Sequence, residues 1–221
     1  MISEWLERQS FHWTLFCCLS ITVCGGMYGA AIGLWRAGLM ATYVAIKFPL
    51  LIFLTTLCNT TLNWMLALVM GAGFSFRQTL LTQLMSFTIA TLIFGSMTPV
   101  ALFMLYNTPT LASGNHFGHS FFLLLNVVII AAAGFAANIR LYGFLLLKTG
   151  SRVLARRILI AWVVGNLFVG GQLSWNLRPF IGSPTLEIQF LRPDPFNGNF
   201  YESVYRSGRR MFHSLISTED R

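Results

Sequence analysis

The chain has 221 residues, of which 55% are apolar and only 10% charged, and its mean hydropathy is +0.65. An ordinary soluble domain carries about 25% charged residues, so the composition excludes that class and points to a single membrane domain. The formal charge of +8 comes from cations in connecting segments and in the tail, where lipid headgroups are the fitting anions. No nucleic-acid-binding signature accompanies that charge, so nucleic acid is not an expected partner.

Residues 1–12 form a short N-terminal segment. Glu4, Glu7 and Arg8 give it the wrong charge for the basic start of a secretory signal, and no cleavage is expected. The first span, 13–35, is bracketed by Trp13 and Trp35, residues that favour the membrane interface. Within it Gly25, Gly29 and Gly33 recur every four residues, making a doubled GxxxG face on which another helix can approach closely. That face serves packing within the chain or self-association. Cys17, Cys18, Cys24 and Cys58 all fall inside predicted spans with no CxxC pair, so they read as small apolar packing residues.

Arg36 to Lys47 reads as a connector, with Pro49 suited to the first turn of the next helix. The second and third spans, 48–69 and 84–105, each run 22 residues without a charged side chain. At about 1.5 Å per residue each reaches about 33 Å, enough for a hydrocarbon core of about 30 Å. Thr55, Thr56, Asn59, Thr60 and Asn63 make a polar stripe on the second span, and Thr88, Thr91, Gly95 and Thr98 share one face of the third. Exposed to lipid these groups would be unsatisfied, so both stripes are expected to face protein and to hydrogen-bond across the helix pair. Pro99, one turn after Gly95, predicts a kink.

Residues 107–120 read as an uncharged loop carrying His116 and His119 at HxxH spacing. Two histidines with no nearby cysteine or carboxylate do not make a metal site, so solvent-exposed histidines are the plain reading and metal binding the lesser one. The fourth span, 121–147, is interrupted by Asn126, Asn138 and Arg140. Phe121 to Ile139 is long enough to cross alone, which would leave Arg140 at the headgroups and Leu141 to Leu147 along the interface. No acidic residue lies in any span, which disfavours proton relays and cation paths. Lys148, Arg152, Arg156 and Arg157 then form the densest basic loop, and by the positive-inside rule that side is cytoplasmic, together with the N-terminus. A bacterial inner membrane is the expected location.

The fifth span, 158–176, carries Gly165, Gly170 and Gly171 for close packing and the polar residues Asn166, Gln172 and Asn176. An extramembrane tail follows from 178 to 221. Leu186 to Leu191 is expected to form a short strand and Asn197-Gly198 a turn. An amphipathic helix over about 200–216 would set Phe200, Val204, Tyr205, Met211, Phe212 and Leu215 against Arg206, Arg209 and Arg210, the latter reaching headgroups.

The turn Gly73-Phe-Ser-Phe-Arg77-Gln78, set between two spans of a five-span chain with a cytoplasmic start, resembles the Yip family of multi-spanning membrane proteins. The segment Leu177-Arg-Pro-Phe-Ile-Gly-Ser-Pro184 looks like the end of some bacterial membrane proteins. The first resemblance implies a non-enzymatic helical bundle that recruits partners or shapes membranes. Eukaryotic members meet small GTPases through a long cytoplasmic N-terminal segment, whereas here only residues 1–12 precede the first span and a tail is added. The residues thus predict an all-α polytopic bundle of five helices, with no cofactor, acting as a scaffold or assembly subunit. Its expected partners are the lipid bilayer and other membrane subunits or further copies of itself. The alternatives are a channel or small-solute transporter with the second span's polar stripe lining a path, and an intramembrane enzyme, for which no GxSxG, HExxH or acidic pair is present.

Overall fold

A computed structural model describes residues 11–36, 38–107, 116–180 and 187–202, the stretch 116–123 by its backbone only. The described residues form five α-helices: α1 (Phe11–Gly33), α2 (Gly38–Val69), α3 (Phe76–Asn107), α4 (His116–Thr149) and α5 (Arg152–Asn176). Each contains a stretch long and apolar enough to cross a bilayer. Helices α2, α5, α4 and α3 follow one another around a ring, and α1 seats in the groove between α2 and α3, packing against both.

Close approach of α1 to α2 is what its glycines permit. A Cβ on Gly29 would lie 2.6 Å from the Val44 carbonyl oxygen, and one on Gly33 2.6 Å from the Ala41 Cα. Gly25 faces Phe48, Pro49 and Thr91, while Gly95 on α3 faces Cys24 on α1. The repeat is therefore spent within the chain. Helix α2 begins ten residues earlier than expected from the sequence, so Lys47 is no connector residue and Pro49 is internal to the helix. Proline supplies no N–H to the carbonyl four residues back, which leaves the Ala45 oxygen free. Gly26 of α1 stands opposite it, its Cβ position 3.4 Å away, so the bare backbone of α1 covers the carbonyl edge that the proline opened.

The α2–α3 turn is built by its end signals. Gly71 adopts φ +77°, Ala72 N–H reaches back to Ala67 O and Gly71 N–H to Leu68 O, the pattern of a Schellman stop. Ser75 and Gln78 then cap α3 reciprocally, each backbone N–H donating to the other's side chain at 3.2 Å. Between stop and start, Phe74 turns inward and sits edge-on to both Phe144 of α4 and Trp162 of α5, while the Trp64 indole N–H holds its carbonyl at 3.1 Å. On the opposite side of the bundle Tyr28 of α1 stacks on Phe94 and donates to Asn126 Oδ1 of α4 at 2.7 Å.

Several expectations change. HxxH does not sit in a loop, because α4 starts at His116 and both histidines fall in its first turn, their side chains outside the described residues. Leu141, Phe144 and Leu145 are buried in the bundle, so the stretch after Arg140 does not lie along an interface. Residues 187–191 form no strand, and Leu186 lies outside the described residues. A helix begins at Phe200, but beyond Glu202 the amphipathic segment with Arg206, Arg209 and Arg210 lies outside them too.

Since Gly29 meets backbone rather than a movable side chain, Gly29→Ala must push α1 off α2. A loss of about 1–3 kcal/mol is expected in reversible unfolding in detergent micelles, whereas Gly143→Ala, which meets nothing within 4 Å, should leave stability unchanged or slightly raised.

Candidate functional site

Three helices bring their carboxamides together on the side of the bundle that carries the α2–α3 turn. Thr55, Thr56, Asn59, Thr60 and Asn63 are all buried, as the stripe pattern predicted, and Thr79, Thr82 and Gln83 of α3 are buried with them. The threonine hydroxyls bond first within their own helices. Thr56 donates to Ile52 O and Thr60 to Thr56 O on α2, while Thr88, Thr91 and Thr98 do the same on α3, each about one turn back. A threonine hydroxyl in an apolar setting finds its own helix's carbonyl without any cost in helix separation, which is why the expected cross-pair bonding does not form.

The cross-helix bonds run through amides instead. Asn63 Nδ2 donates to Asn166 Oδ1 at 3.4 Å, and Asn166 Nδ2 donates to Gln83 Oε1 at 3.3 Å, tying α2, α5 and α3. The fully buried Trp162 adds an indole N–H to the Asn63 backbone carbonyl at 2.9 Å. Gly165 of α5 faces this cluster: a Cβ there would stand 3.4 Å from Asn63 Oδ1 and 3.7 Å from Asn59 Oδ1, ordinary contact distances. Asn59 has no exposed surface, and neither its Nδ2 nor its Oδ1 has a hydrogen-bond partner. Asn63 Oδ1 and Gln83 Nε2 are likewise buried and unpartnered. Asn59 stands about 15 Å along the helix axis from either end of the Pro49–Val69 stretch.

A second cluster lies where α5 ends. Lys47, with no exposed surface, donates from Nζ to the Pro179 carbonyl at 3.1 Å and lies 4.9 Å from the centroid of the Phe190 ring, which in turn packs edge-on to Tyr43. Tyr201 stacks on Phe168 and donates its hydroxyl to the Phe168 carbonyl at 2.8 Å, over the bare backbone of Gly171. Arg178 lies over the Trp175 ring and donates to the Asn197 carbonyl. Burial, with the nearby Arg192, pushes the Arg178 guanidinium below its usual range, and burial pushes the Tyr201 phenol up. The described tail is thus folded back onto α2 and α5.

Gln83 and Trp162 were not legible as site residues. Gln83 stands one position before the apolar run that defined the third span, and Trp162 falls inside the fifth span with no pattern to mark it. Cys58, expected among the small packing residues, is instead exposed. Among the described residues no group of three or more His, Cys, Asp or Glu side chains is placed to hold a metal ion.

No family model, curated protein or solved structure matches this chain.

Removing Asn166 severs both amide links at once. Asn166→Ala is expected to destabilise the bundle by about 1 kcal/mol, and a double-mutant cycle with Gln83→Ala should return a coupling of about 0.6 kcal/mol, read from unfolding in micelles. Lys47→Met keeps the aliphatic stem but loses the bond to Pro179. Faster limited proteolysis of the tail is expected, with the unfolding midpoint of the helices little changed.

Proposed function

We propose that this chain is a non-catalytic, multi-pass membrane protein that serves as a scaffold or assembly subunit through helix packing. The observation that carries the reading is where the polar and small groups of the helices are used. The threonine hydroxyls return to their own helices, three amides clamp α2, α3 and α5, and the glycine repeat seats α1 on α2. Outward, α4 and α5 present large apolar side chains, among them Val127, Phe135, Ile139, Val164, Leu167 and Phe168. Such a body suits acyl chains and the spans of other subunits. The N-terminus lies on the cytoplasmic side in this reading, with Lys148 at the end of α4 and Arg152, Arg156 and Arg157 at the start of α5 rather than in a loop, and the location is a bacterial inner membrane.

A second reading is passage of a small neutral solute along the polar side of α2. It draws on one observation, the unpartnered Asn59 amide about halfway along the apolar part of the helix.

Gentle extraction from the native membrane separates the two. A companion protein retained at fixed stoichiometry is expected. Recovery of the chain alone, together with solute flux in reconstituted vesicles, would replace the first reading by the second. A topology reporter fused after Arg221 should report the non-cytoplasmic side.

A further inference from the structure

We propose that Asn59 and Asn63, which face Gly165, together with Gln83, linked to them through Asn166, hold a small uncharged ligand that both accepts and donates hydrogen bonds, of which water is the smallest. Independently of the assembly reading, four buried side-chain atoms here have no partner: two donors, Asn59 Nδ2 and Gln83 Nε2, and two acceptors, Asn59 Oδ1 and Asn63 Oδ1. Buried amides are almost always paired, through ordered water where protein groups do not suffice. Four such atoms on three linked amides therefore make a polar site suited to binding a small partner.

The balance of donors and acceptors fixes the chemistry of that occupant. A bare metal cation answers the two oxygens but leaves the two N–H groups facing positive charge. An anion answers the N–H groups and is repelled by the oxygens. Turning the Asn59 amide over exchanges its nitrogen and oxygen and leaves the same balance. Only a neutral group with two hydrogens to give and two lone pairs to receive satisfies all four, which selects water or a primary amide.

Room for it lies in front of Gly165. A methyl carbon placed on that glycine would meet, outside its own helix, only Asn63 Oδ1 and Asn59 Oδ1 within 4 Å. Those two oxygens, both without partners, border the position, and the distances leave space beside the half-buried Gly165 for a small group. Trp162, one turn before Asn166 on α5 and bonded to the Asn63 carbonyl, walls the same region.

The test uses the full chain in bilayer nanodiscs. Hydroxyl-radical footprinting reads water beside buried side chains, and Trp162, which has no exposed surface, oxidises only where water stands within the bundle. In the wild type Trp162 oxidation is expected, and Gly165→Ala, which fills the space while keeping every amide, should reduce it severalfold. Asn59→Leu removes two of the orphaned atoms at similar volume. It should lower the unfolding midpoint by about 4 °C if those atoms bind an occupant. A wild type that is not oxidised at Trp162 but releases a neutral small molecule on unfolding, absent from the Asn59→Leu preparation, also supports the site and assigns it to a solute other than water. An unoxidised Trp162, no released molecule and an Asn59→Leu variant with a raised midpoint would overturn the proposal, because a dry, unpaired amide is relieved by an apolar replacement. Should Asn59→Leu not fold, the wild-type and Gly165→Ala footprints decide alone.

Discussion

Hydrogen bonds inside an apolar bundle have to be closed by the protein itself, and the arrangement of these five helices follows from how they are closed. A backbone group left open in hydrocarbon costs several kcal/mol, more than any single helix contact returns. Pro49 opens one such group at Ala45, two turns into α2, and the structure answers with the side-chain-free edge of α1 laid against it. The same contact draws Gly29 onto Val44 and Gly33 onto Ala41, and so places α1 in the groove between α2 and α3. Tyr28, carried on that edge, can then reach past Phe48 and Phe94 to Asn126 on α4.

Side chains divide by how far their polar atoms stand from their own backbone. A threonine hydroxyl is close enough to reach the preceding turn, so it is satisfied before any neighbour arrives. A carboxamide reaches farther and has two donors and an acceptor to place, so it can also find partners on other helices, although Asn107 and Asn138 return to their own. Asn63, Asn166 and Gln83 do so in part, and Asn59 does not. Interhelical amide bonds in membranes average about 0.6 kcal/mol, while an unmet buried amide costs about 1–3 kcal/mol. That difference makes the carboxamides a place for an occupant, not only a means of joining helices.

At the other end of the bundle the tail is held by Lys47, whose ammonium meets a carbonyl and an aromatic face. All acidic residues of the chain precede residue 8 or follow residue 186, so no carboxylate within the helices competes for it. The tail's own aromatics, Phe190 and Tyr201, then pack on α2 and α5 and make residues 187–202 part of the folded body.

The number of helices, their inward polar faces and the glycine end of α2 were readable from the chain alone, because hydropathy over 20 residues, side-chain period and glycine conformation are local properties, whereas α3 starts at Phe76, eight residues before the expected span. Gly71, Ser75 and Gln78 act through neighbours within five positions. Helix limits were less readable: Gly38 to Lys47 carries too few apolar residues in a row to define a span, yet it continues α2 because Met40, Ala41 and Val44 are buried beneath α1. The roles of Gln83, Asn166, Trp162 and Lys47 belong to tertiary structure alone. Each acts on a residue at least 83 positions away, and no pattern along the chain states which helices stand side by side or which amide atoms are left without a partner once they do.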